Sequence, residues 1–147
     1  MILGAHGVRI ELPRGWSGRL YRRAGATTLH AATYPLALAD GEFGDRSTAA
    51  MPAGGCFVAL TEYRPGGALR PGSGLYAAPR LDLPLDPAAL SSRGLAHPRP
   101  GQAGLQQFAT LAGRPFCLYV VAAGDRPARR RAILHADRVL RTLQVGS

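Results

Sequence analysis

GLQQFATLAGRPFCLYVVAA, Gly104 to Ala123, is the stretch from which the fold is read. Ala112-Gly113-Arg114-Pro115 carries the turn signal, and the runs on either side read as the two strands of a hairpin. In the second run Phe116, Leu118 and Val120 fall on one face and Cys117, Tyr119 and Val121 on the other, because successive strand side chains alternate. Both faces are apolar. Such a strand belongs inside a sheet with cover on each side, and each large apolar side chain buried there contributes about 1.5–3 kcal/mol.

Working outward, Cys56 to Tyr63 has the same two-sided character and belongs beside Phe116–Ala122. Gly7–Leu12, Gly18–Arg23 and Thr27–Leu36 alternate as half-buried strands and read as an antiparallel meander with short turns. Trp16 anchors the corner after Pro13-Arg14-Gly15. Asp45 reads as the cap of a short helix over Arg46–Met51, which Pro52 stops. Arg64 to Pro100 is a long connection rich in Pro, Gly and Ala, with edge fragments expected at 75–77 and 81–83. Within it, Asp86-Pro87 opens a one- or two-turn helix. A connection of this length is usually functional, so it is expected to wall any specific site. After Gly124-Asp125, the spacing of Ile133, Ala136, Leu140 and Leu143 predicts an amphipathic helix over Pro127–Thr142, with Val145 as a final tie to the sheet. The expected architecture is therefore one α+β domain, residues 1–147. Its mainly antiparallel sheet of about six strands has helices over both faces.

Composition bounds the rest. The chain has 147 residues and a net charge of +9. All 18 of its basic residues are Arg, Lys and Asn are missing, and Ile occurs only at 2, 10 and 133. That bias is the mark of a GC-rich coding genome such as an actinobacterium's. It does not account for the net charge, which comes from having only 9 acidic residues. A basic protein of this kind is suited to polyanions or acidic protein faces. No signal peptide is read at Met1–Gly4, and no run approaches the roughly 18 apolar residues of a membrane span. Cys56 and Cys117 each lie in an apolar strand and read as free, buried thiols in a reducing cytoplasm, with a cross-strand disulfide as the alternative.

The opening strand running into LPRGW (Leu12 to Trp16), the strand pair LQQFATLAGRPFCLYVV (Leu105 to Val121) and the closing RVLRTLQV (Arg138 to Val145) together resemble the PsbP-like superfamily. That superfamily includes a photosystem II subunit and a Ran-binding nuclear import factor. More narrowly, the chain looks like an uncharacterised actinobacterial family of similar length. The resemblance implies an α/β/α sandwich and a protein-binding role. It carries no catalytic residues and no site residue by residue.

Several chemistries fail on the residues themselves. Without Lys there is no Walker A loop, Schiff base or PLP attachment. Gly15-Trp16-Ser17-Gly18 has Arg19 where a nucleophile elbow needs Gly, and Gly72-Ser73-Gly74 has Ala77 where a dinucleotide fingerprint needs its third Gly. His6, His30, His97 and His135 are scattered and no zinc-ligand spacing occurs. Cys56 with His30 is the least disfavoured nucleophile pair. No catalytic residue, metal ligand or cofactor is assigned.

The arginines carry the partner-binding expectation. Arg19, Arg22 and Arg23 flank Tyr21 on one hairpin edge, and Arg126, Arg129, Arg130 and Arg131 crowd the first turns of the last helix. Positive charge there opposes the helix dipole, by about 0.3–1 kcal/mol per group. Arg offers bidentate contacts to carboxylate or phosphate. The expectation is a non-enzymatic binding or scaffold module meeting an acidic protein through these residues. Two alternatives stay open. One is sequence-independent nucleic-acid binding by the same arginines. The other is a small-ligand binder or enzyme with a pocket beside the 64–100 connection, near His30, Tyr34 or Cys56.

Overall fold

The structure, a computed structural model, describes residues 1–64 and 70–147. Among the described residues, eight strands form two antiparallel sheets. The strands are β1 (Ile2–Ala5), β2 (Val8–Glu11), β3 (Ser17–Arg23), β4 (Ala26–Ala32), β5 (Cys56–Glu62), β6 (Gln102–Leu111), β7 (Arg114–Ala123) and β8 (Gln144–Val145). One sheet has the order β1-β2-β8 and the other β3-β4-β5-β7-β6. Two α-helices, α1 (Asp45–Ala49) and α2 (Arg126–Leu140), accompany them among the described residues. The chain is thus mostly β.

The central hairpin forms as the turn chemistry dictates. Ala112 and Gly113 both have positive φ, 52° and 78°, the pair of left-handed conformations that a two-residue type I′ turn requires. The His6-Gly7 and Ala24-Gly25 turns repeat it. β7 lies between β5 and β6, with Leu118 opposite both Leu60 and Gln107, so the two doubly apolar strands are neighbours inside the sheet.

The expected sandwich, with helices over both faces of one six-stranded sheet, is not what forms. On one face α2 lays Ala132, Ile133, Ala136, Val139 and Leu140 against Leu29, Val58, Leu60, Phe116, Leu118 and Val120. Val8, Ile10 and Leu12 join the same core from the smaller sheet and its edge, and Trp16 packs at its margin. On the other face Phe57, Ala59, Tyr119 and Val121 are covered by Tyr34, Leu36, Phe43, Met51 and Leu95. Tyr34, Leu36, Phe43 and Met51 stand on irregular chain around the five-residue α1 and Leu95 on the long connection, not on a helical layer. Burial demands apolar side chains above the sheet, and loops supply them as well as a helix does.

The meander also splits. β2 turns back through His6-Gly7 to pair with β1, and β8 pairs on its other side. Only β3 and β4 form the expected hairpin. The α1 cap differs as well: Asp40, not Asp45, accepts from the Arg46 and Ser47 amides at 2.9 and 2.8 Å. No strands occur at 75–77 or 81–83.

What the long connection does instead is close the sheet's β6 edge. Residues 65–69 of it lie outside the described residues. Ser91 and Gly104 exchange backbone hydrogen bonds at 3.0 and 2.9 Å. The Thr110 amide donates to the Ala78 carbonyl, and the Asp82 amide to the Gln107 side chain. Gly104 is needed there, since a Cβ would lie 2.9 Å from the Gly94 carbonyl oxygen. An edge left open would be a template for unwanted strand pairing.

Candidate partner-binding site

α2 begins at Asp125, whose carboxylate accepts from the Ala128 amide at 2.9 Å, and Pro127 occupies the first turn. The cap satisfies one free donor and places a negative charge at the positive end of the dipole. It thereby offsets part of the cost of the arginines that follow. Further along, Asp137 is 8% exposed and accepts from the Leu85 amide at 3.0 Å and from Arg141 Nε at 2.8 Å. That bond pins the long connection to α2. From Leu85 the chain runs back along the helix, and Asp86 caps a short 3-10 turn at Pro87–Ala89 by accepting from the Ala88 amide.

The result is a groove of about 620 Å³ lined by Pro87, Ala88, Leu90, Arg126, Pro127, Arg129 and Arg130. Arg129 is oriented by a hydrogen bond from its Nη1 to the Gly124 carbonyl, 2.8 Å. Arg126 stands one turn away from both Arg129 and Arg130, on adjacent helical positions about 5–6 Å apart. Among the described residues none of these arginines is in an ion pair with a carboxylate of its own chain.

The seven arginines singled out in the sequence do not form one surface. Arg126, Arg129 and Arg130 come together around the groove; Arg131 is exposed and outside its lining. Arg19, Arg22 and Arg23 lie on β3, the other edge of the large sheet. Arg23 pairs with Ala26 at the hairpin end, whereas α2 starts from the opposite end of the sheet, where Ala122 faces Cys56. Arg19 and Arg23 share a face with Tyr21, and Arg23 stacks over that ring at 5.4 Å; alternation puts Arg22 on the other face. Charges on a free edge strand discourage edge-to-edge pairing.

The polar residues expected near a small-ligand pocket are packed inside. His30, Tyr34 and Cys56 are 1%, 7% and 0% exposed. His30 Nε2 donates to the Glu42 carbonyl at 2.8 Å, and burial lowers its pKa despite that bond. Tyr34 donates to the Ser47 carbonyl. Cys56 faces the α2 side of the sheet and Cys117 the other, so they do not pair, and both are free. Burial pushes their pKa values up to about 12 and about 11. Neither thiol is expected to react with a water-soluble disulfide reagent at pH 8 until the chain is unfolded. Rapid labelling of Cys56 in the native state would place it on a surface and contradict this packing. Among the described residues no three His, Cys, Asp or Glu side chains gather as metal ligands, and no helix is long and apolar enough to cross a membrane.

Sequence reading missed Pro87, Ala88 and Leu90 as partners of the arginines. The only signal was the Asp86-Pro87 helix start, which says nothing about what lies beside it. No family model, curated protein or solved structure matches the chain.

Proposed function

We propose that the chain is a non-enzymatic binding module that contacts an acidic protein through the arginine face at the start of α2. One observation carries this reading: Arg126, Arg129 and Arg130 converge with Pro87–Leu90 around an open groove, and no carboxylate of the chain pairs with them among the described residues. Unpaired guanidinium groups at a concave surface are suited to bidentate capture of carboxylates. The two free, buried thiols suit a reducing compartment, the cytoplasm. The test is affinity capture from the native host with the wild type and with Arg129→Glu/Arg130→Glu. Loss of an acidic partner from the doubly reversed variant, with unchanged thermal unfolding, is the expected result. Equal capture by both removes the arginines from the function.

The net charge of +9 favours a second reading, sequence-independent nucleic-acid binding by the same residues. It requires an affinity for DNA or RNA that falls steeply with salt through counterion release. No mobility shift at low salt ends it.

A further inference from the structure

The arginine groove has a second property besides charge. Its remaining lining is apolar: Pro87 and Leu90 from the connection, Pro127 from the helix, and Ala88 between them. Leu90 also packs against the main core, and Asp137 ties the connection to α2 through the Leu85 amide. The apolar wall is therefore held in place. The helix N-terminus is not the anion site, since Asp125 already accepts from the Ala128 amide and Pro127 has no N–H to offer. Negative charge bound in the groove is therefore met mainly by the arginine side chains.

We infer that this groove takes a short linear acidic peptide segment in which an apolar side chain sits between carboxylates. The inference rests on the acidic-partner reading and narrows it. Arg126 and Arg130, one turn apart, grip the flanking carboxylates, while Arg129, held by the Gly124 carbonyl, adds its remaining donors to the lining. The apolar side chain lies on Pro87, Leu90 and Pro127. A folded, uniformly charged surface would use the arginines and leave that wall wet. A nucleic acid would use them too, but the lining holds no aromatic ring on which a base could stack.

The experiment is fluorescence anisotropy with the full chain and three labelled probes at fixed ionic strength. The first peptide alternates Glu with Leu, the second is all Glu and of equal charge, and the third probe is a single-stranded oligonucleotide. The expected result is at least tenfold tighter binding of the Glu/Leu peptide than of the all-Glu peptide. That preference should be lost in Ala88→Glu, an exposed position where a new carboxylate would enter the groove, and both peptides should weaken about tenfold in Arg126→Gln/Arg130→Gln. Circular dichroism melts of both variants confirm that folding is kept. Equal binding of the two peptides, both weakened by Arg126→Gln/Arg130→Gln, overturns the apolar seat while the acidic-partner reading stands. Peptide binding that ignores the arginine substitutions, or none at all, overturns the inference. If a folded acidic protein captured from the host likewise ignores Arg129→Glu/Arg130→Glu, the broader reading falls too. Tightest binding of the oligonucleotide overturns both.

Discussion

Replacing Leu118 with Asp is expected to abolish cooperative folding. Leu118 is 0% exposed at the middle of β7, between Leu60 of β5 and Gln107 of β6, and its side chain is sealed under α2. The substitution removes about 1.5–3 kcal/mol of apolar burial and inserts a carboxyl among the buried apolar side chains of that cluster. An unpaired buried charge costs several kcal/mol more, whether it stays ionised or is forced to protonate. The sum reaches the total stability of an ordinary domain, about 5–15 kcal/mol. Far-UV circular dichroism with urea titration should show no sigmoidal transition for Leu118→Asp. A midpoint equal to wild type would mean that β7 is not the covered strand argued above.

Arg114→Met is expected to cost about 2–3 kcal/mol, less than the roughly 3–5 kcal/mol for breaking a fully buried ion pair, because this pair is only partly buried. Arg114 opens β7 and is 14% exposed in its side chain. Its Nε donates to Glu62 Oε2 at 2.8 Å, and Nη2 donates to Glu62 Oε1 at 3.0 Å and to Thr27 Oγ1 at 3.2 Å. Nη1 donates to the His6 and Gly146 carbonyls, both at 2.9 Å. One guanidinium thus fastens β4, β5 and β7 of the large sheet to the β1–β2 turn and the end of β8. Lysine has three donors on one point and cannot reproduce this fan, so Arg114→Lys should recover little. Without Arg114, Glu62 is left partly buried with only the Thr27 amide, 3.0 Å away. Glu62→Met in the same chain should therefore recover part of the loss, and the double-mutant cycle reads their coupling. Additive losses would show that the pair is not a unit.

The same pair sets a pH dependence. Burial alone would raise the Glu62 pKa, but hydrogen bonds from Arg114 and Thr27 and the charge of Arg114 hold it below its ordinary value of 4.5. A carboxyl with a depressed folded pKa binds fewer protons folded than unfolded. Its stabilising contribution is complete above pH 4.5 and is lost as pH falls through the lower folded value. Arg114→Met should flatten the acid limb of the stability curve.

Legibility in the sequence followed the range of the interaction. The alternation in Phe116–Ala122 and Cys56–Tyr63 put two strands side by side inside a sheet, and they are neighbours. The spacing from Ile133 to Leu140 placed α2, whose stripe is buried as read. Ala112-Gly113 gave away its turn because few sequences tolerate positive φ at both positions. The smaller sheet was not legible. Val8–Glu11 announces a half-buried strand, yet nothing local says that its partners are residues 2–5 and 144–145. Nor did any local pattern mark Arg114 as a clamp, since its acceptors come from four distant segments. The arginines at 126–131 were visible as a cluster, but their division into three that line a groove and one that does not depends on where residues 87–90 fall.

By itself, then, the sequence determined the elements whose signals are periodic and local: which strands need cover on two faces, where the hairpin turns, where α2 lies, and that its first turns are dense in unmatched positive charge. Tertiary structure alone decided which strands share a sheet, that loops rather than a helical layer cover the second face, and that Arg126, Arg129 and Arg130 meet Pro87–Leu90 while Arg19, Arg22 and Arg23 stay apart on β3. The physical reason is that burial specifies how much apolar surface must be covered, not which segment covers it. That choice is made by contacts such as Asp137 with Leu85 and Arg114 with Gly146, which join residues far apart in the chain.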